Sequence, residues 1–104
     1  MKNFEIEQKL RMWGAKGLYH GFWPMLEILE QMKKGVPFRV ALQVTAGKWE
    51  VSVPVMRRRI NILLLCMKRE KTEEYIAAFG DAGDLKPKEM MERMAAMLPG
   101  GYIQ

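Results

Sequence analysis

Arg57, Arg58 and Arg59 stand in succession, and Lys68, Arg69 and Lys71 follow a few turns later with Glu70 as the one acid among them. Of the chain's 17 basic and 12 acidic residues, six and one fall in this stretch, leaving eleven of each elsewhere. The stretch therefore carries the whole formal net charge of +5. Guanidinium and ammonium groups at this density suit a polyanion: each phosphate they neutralise releases condensed counterions. Spacing decides whether they can act together. At about 100° per residue on a helix, Arg57, Arg58, Asn61, Lys68 and Arg69 share an arc of roughly 120°. Leu65 sits among them, Arg59 lies on a flank, and Lys71 falls at or beyond the end. Met56, Ile60, Leu63, Leu64 and Met67 gather on the opposite side, so one face reads as core and the other as a row of cations.

Other chemistries find little support. His20 is the single histidine and Cys66 the single cysteine, and neither belongs to a His/Cys/Asp/Glu set at metal spacing. No phosphate-cradling glycine motif, nucleophile elbow or carboxylate pair appears. The expectation is a protein that is not an enzyme and uses no metal or cofactor. Cys66 lies in the apolar run Ile62–Met67 and reads as buried. One cysteine allows no internal disulfide, which points to a reducing, cytoplasmic setting. No apolar run approaches the roughly 20 residues needed to span a bilayer, so no membrane partner is expected. The stretch Tyr19–Trp23 could stack on unpaired bases, although Phe22 and Trp23 also suit the packing of a turn between two helices.

The elements that must position the cations follow from periodicity. At 104 residues the chain reads as a single domain, 1–104. Ile6, Leu10 and Trp13 recur at helical spacing. Pro24 fits the first turn of a second helix with Leu26, Leu29 and Met32 inside, and Gly35 stops it. Phe38, Val40, Leu42 and Val44 then alternate with polar or small residues, as do Trp49, Val51 and Val53, with Ala46-Gly47 between the runs. This predicts a β-hairpin. Pro54 opens the basic helix, with Ser52 or Val53 as its cap. Thr72 caps a short helix through Phe79, stopped by Gly80, and Asp81–Asp84 forms a loop. A last helix runs from Pro87 to Pro99-Gly100-Gly101. The predicted order is α-α-β-β-α-α-α, an α+β domain with helices packed on one β-hairpin. In the last helix Met90, Met91, Met94, Met97 and Leu98 form a flexible apolar face. Such a face either fills the core or offers a surface for a homodimer or protein partner.

Two resemblances bear on function. Val51-Ser52-Val53-Pro54-Val55-Met56-Arg57-Arg58-Arg59-Ile60 resembles the second half of a helix-turn-helix in bacterial repressors. There a Val-Ser pair precedes the recognition helix, and basic residues follow a buried apolar position. Upstream, Glu50 stands where that motif has its turn glycine, and the alternation over 38–53 assigns strand to what would be its first helix. A longer set of elements is similar to the FinO/ProQ family of bacterial RNA-binding domains. It comprises Trp23-Pro24, Pro37-Phe38-Arg39, Ser52 followed by Met56-Arg57-Arg58, and Tyr75-Ile76 before Asp84-Leu85. That resemblance implies RNA binding, with Arg39, Arg57, Arg58 and Tyr75 as contact residues.

The resulting expectation is a small basic nucleic-acid-binding regulator, leaning towards RNA, that contacts phosphates through Arg57, Arg58, Asn61, Lys68, Arg69 and Lys71. The alternatives are a helix-turn-helix DNA-binding transcriptional regulator and a protein-binding adaptor or inhibitor of phage or plasmid origin. The adaptor would set its cationic face against an acidic surface, or its methionine-rich helix in an apolar groove.

Overall fold

The computed structural model describes residues 2–80 and 85–98, and every regular element among them is a helix. In order these are α1 (Lys2–Met12), α2 (Phe22–Lys33), α3 (Phe38–Lys48), α4 (Val53–Glu70), α5 (Glu73–Phe79) and α6 (Pro87–Met97). No strand occurs among the described residues. The fold is all-α, and the expected α+β architecture with its β-hairpin is overturned. The expected Asp81–Asp84 loop and the Pro99–Gly101 stop lie outside the described residues.

The correction falls on residues 38–53, which form α3, a four-residue turn (49–52) and the start of α4. The buried residues of α3 are Phe38, Ala41, Leu42, Thr45 and Ala46, an i, i+3, i+4, i+7, i+8 stripe. Alanine and threonine carry much of that stripe, whereas Val40 and Val44, which gave the strand alternation, project outward. Thr45 is fully buried and accepts a 2.9 Å hydrogen bond from Gln31 Nε2 of α2, so its hydroxyl is satisfied in the core.

The end of α3 sets the direction in which the chain enters α4. Val51 N–H donates to the Ala46 carbonyl and Glu50 N–H to the Gly47 carbonyl, the paired bonds of a Schellman motif. Helix α2 ends the same way, with Gly35 at φ +96° in the left-handed position. In α3 that position is held by Glu50 at φ 58°. A non-glycine residue there costs roughly 1–2 kcal/mol, which the surrounding packing must offset. Ser52 then caps α4 by accepting from Val55 N–H at 3.3 Å, with Pro54 in the first turn.

Helix α2 is the centre of the bundle and packs against α1, α3, α4 and α6. Trp13, Phe22, Met25, Leu26, Ile28, Leu29, Leu42, Met56, Ile60, Leu63 and Met67 are all fully buried in one cluster. Gly21, at the start of α2, lets α4 come close: a Cβ there would lie 2.4 Å from the Arg59 carbonyl oxygen. Lys33 Nζ donates to the carbonyls of Ala95 (2.9 Å) and Leu98 (2.6 Å), satisfying the C-terminal end of α6. Thr72 Oγ1 accepts from Tyr75 N–H and donates to the Met12 carbonyl, tying α5 to α1. Of the methionine-rich face, Met90, Met91, Met94 and Leu98 belong to the core, and Met97 is the exposed member.

Candidate nucleic-acid interface

The inner face of α4 is as its spacing requires: Met56, Ile60, Leu63, Leu64 and Met67 are buried, and Cys66 with them. The outer face divides into two environments. Arg57 and Lys68 are about 16 Å apart along the axis at 1.5 Å per residue. Between them on the exposed side lie Ile62 and Leu65, both about half exposed, so the expected row of cations is interrupted by apolar surface.

At the N-terminal half, Ser52, Pro54, Arg57 and Arg58 are exposed, and Asn61 is half-buried. Among the described residues Arg39, Arg57 and Arg58 form no salt bridge. Beside this half opens a cleft of about 310 Å³ lined by Phe38, Arg39, Arg57, Lys86, Pro87 and Lys88. Its cations come from the start of α3, from α4, and from the start of α6. A second, smaller hollow of about 150 Å³ adjoins it at Pro87, lined by Asn61, Leu64, Leu65, Lys68, Tyr75, Leu85 and Met90. Asn61 Oδ1 is buried and accepts no hydrogen bond from the described residues.

In the C-terminal half Lys68, Arg69, Glu70 and Lys71 are exposed as well. Glu70 pairs with Lys16 at 2.8 Å, so the one acid of the basic segment is committed to a residue outside it. The hydrogen bond and charge of Glu70 hold the Lys16 ammonium above its ordinary value. The Tyr19 phenol is raised first by its hydrogen bond to Cys66, whereas nearby Lys16 and Arg69 act the other way. Lys71 closes the helix in the left-handed region, at φ 49°.

Of the sequence-predicted residues, the fold therefore gathers Arg39, Arg57 and Arg58 at the N-terminal end, sets Asn61 with Lys68 along the adjoining hollow, and leaves Arg69 and Lys71 at the C-terminal end. Tyr75 does not join either group as a surface residue. It is buried against Phe79, and its phenol is pushed up by that burial. Trp23 is partly exposed and Phe22 is core. Sequence reasoning missed Lys86 and Lys88. The signal was present, since they flank a proline that opens a helix, where cations oppose the helix dipole. No family model, curated protein or solved structure matches the chain.

Among the described residues no three His, Cys, Asp or Glu side chains gather as they would around a metal. No helix among them is long and apolar enough to cross a membrane. What the N-terminal half of α4 offers chemically is hydrogen-bond donors: two forked guanidiniums and a hydroxyl on one exposed helical end.

Proposed function

We propose that this protein is a DNA-binding regulator in which α3, the turn and α4 act as a helix-turn-helix, with the N-terminal half of α4 entering the major groove. The observation that carries this reading is the pair α3 and α4, packed together and joined by four residues, with Ser52, Pro54, Arg57 and Arg58 exposed at the start of the second helix. A recognition helix presents its N-terminal residues to base edges while its opposite side packs on the first helix. Met56 and Ile60 are buried on that opposite side here.

The side chains fit the task. An arginine fork pairs with guanine O6 and N7, and Arg57 and Arg58 are exposed to do so. The local likeness of Val51–Ile60 to repressor recognition helices points the same way. The strand alternation that opposed it no longer applies, because Phe38–Lys48 is helical.

Duplex DNA is preferred to RNA on two grounds. The deep, narrow major groove of A-form RNA excludes a helix, and Tyr75, the aromatic contact implied by the RNA-binding resemblance, is buried.

Fluorescence anisotropy with a labelled random-sequence duplex and a structured RNA of equal length tests the reading. The duplex should bind more tightly, with log K falling by about 0.9 per phosphate contact for each unit of log salt. Absence of duplex binding at about 50 mM salt, or preference for the RNA, would overturn it.

A further inference from the structure

We propose that the cleft between the starts of α3 and α6 is a phosphate seat that grips one strand of the DNA backbone beside α4. The proposal rests on the DNA-binding reading and adds to it a wall outside the two-helix unit. Arg39, Arg57, Lys86 and Lys88 line this one cleft. Arg39, Arg57 and Lys86 form no salt bridge among the described residues, and Lys88 alone has an acid partner, Glu92, at 2.9 Å one turn further along α6.

The placement of these cations is itself informative. Arg39 is the second residue of α3, and Lys86 and Lys88 bracket the first residue of α6. At a helix start the dipole disfavours positive charge. Helix formation accounts for Lys88 through its pair with Glu92 but not for Arg39 and Lys86, which line the same cleft, whereas an anion lodged among them does. Two backbone positions at the start of α6 offer an anion nothing: Pro87 lacks an N–H, and the Glu89 carboxylate accepts from Lys86 N–H at 3.1 Å. The side chains do the binding. At about 310 Å³ the cleft lies at the lower end of the roughly 300–1,000 Å³ of small-ligand sites. Phe38 and Pro87 give it an apolar floor against which a sugar can rest.

The test compares the parent chain with a Lys86→Gln/Lys88→Gln variant in duplex titrations across a salt series, with circular dichroism to confirm that both are folded. The variant should show a log–log salt slope shallower by about one to two units. Its relative affinities for duplexes of different sequence should stay the same, because phosphate contacts carry no base information. An unchanged slope with duplex binding intact would overturn the phosphate seat and leave the DNA-binding reading standing. Failure of the parent chain to bind any duplex would overturn both.

Discussion

The two halves of α4 both carry cations and occupy different surroundings. In the N-terminal half Arg57 and Arg58 face solvent beside a cleft that receives further cations from α3 and α6. In the C-terminal half Lys68 and Arg69 follow exposed Ile62 and Leu65, and the local acid Glu70 is spent on Lys16. The N-terminal half is also held to a defined geometry, capped by Ser52 and preceded by a Schellman turn. Charge density along a sequence thus says where cations are abundant. Which of them act together is decided by the helix starts that tertiary packing brings alongside.

The largest expected effect comes from reversing charge in each half separately. Arg57→Glu with Arg58→Glu should weaken duplex binding roughly 100-fold at fixed salt, two charge-assisted contacts being lost. Lys68→Glu with Arg69→Glu should change it by less than about threefold, a residual long-range effect screened by salt. Equal losses in the two pairs, measured by anisotropy, would erase the distinction.

A smaller effect is expected where the halves meet. Gly21→Ala sets a Cβ 2.4 Å from the Arg59 carbonyl oxygen, a backbone atom that can yield only by moving α4. A loss of about 1–3 kcal/mol is expected, visible as a lowered Tm. Gly47→Ala is the control: its Cβ meets open space on α3, and a gain of about 0.5–1 kcal/mol is expected from the better helix former. A Gly21→Ala chain as stable as the parent would show that α4 is not held at Arg59.

Much of the architecture is legible in the residues alone. The inner stripe of α4, the Ser52 cap, and the Thr72 cap and Gly80 stop of α5 all follow from local rules that the fold obeys. Helix α3 was not legible because its buried face leans on Ala41, Thr45 and Ala46, which an apolar count passes over. Val40 and Val44 meanwhile mimic strand spacing from the exposed side. That single misreading also removed the first helix from the repressor-like motif. The cleft was illegible for a different reason. Lys86 and Lys88 are far from Arg57 in sequence, and only the docking of α6 on α2, α3 and α4 brings them together. Tyr75 is not a surface residue because α5, pinned at Thr72, turns that ring inward onto Phe79.

The central claim is that DNA meets the N-terminal half of α4 and the helix starts beside it. The most direct measurement is backbone amide mapping by NMR, with the isotopically labelled chain titrated with a short duplex. The expected result is that the largest shifts fall at Arg39, Ser52, Val53, Arg57, Arg58, Asn61, Lys86 and Lys88, with Ile62 to Lys71 little changed. Shifts concentrated between Ile62 and Lys71, or spread evenly along α4, would contradict the account.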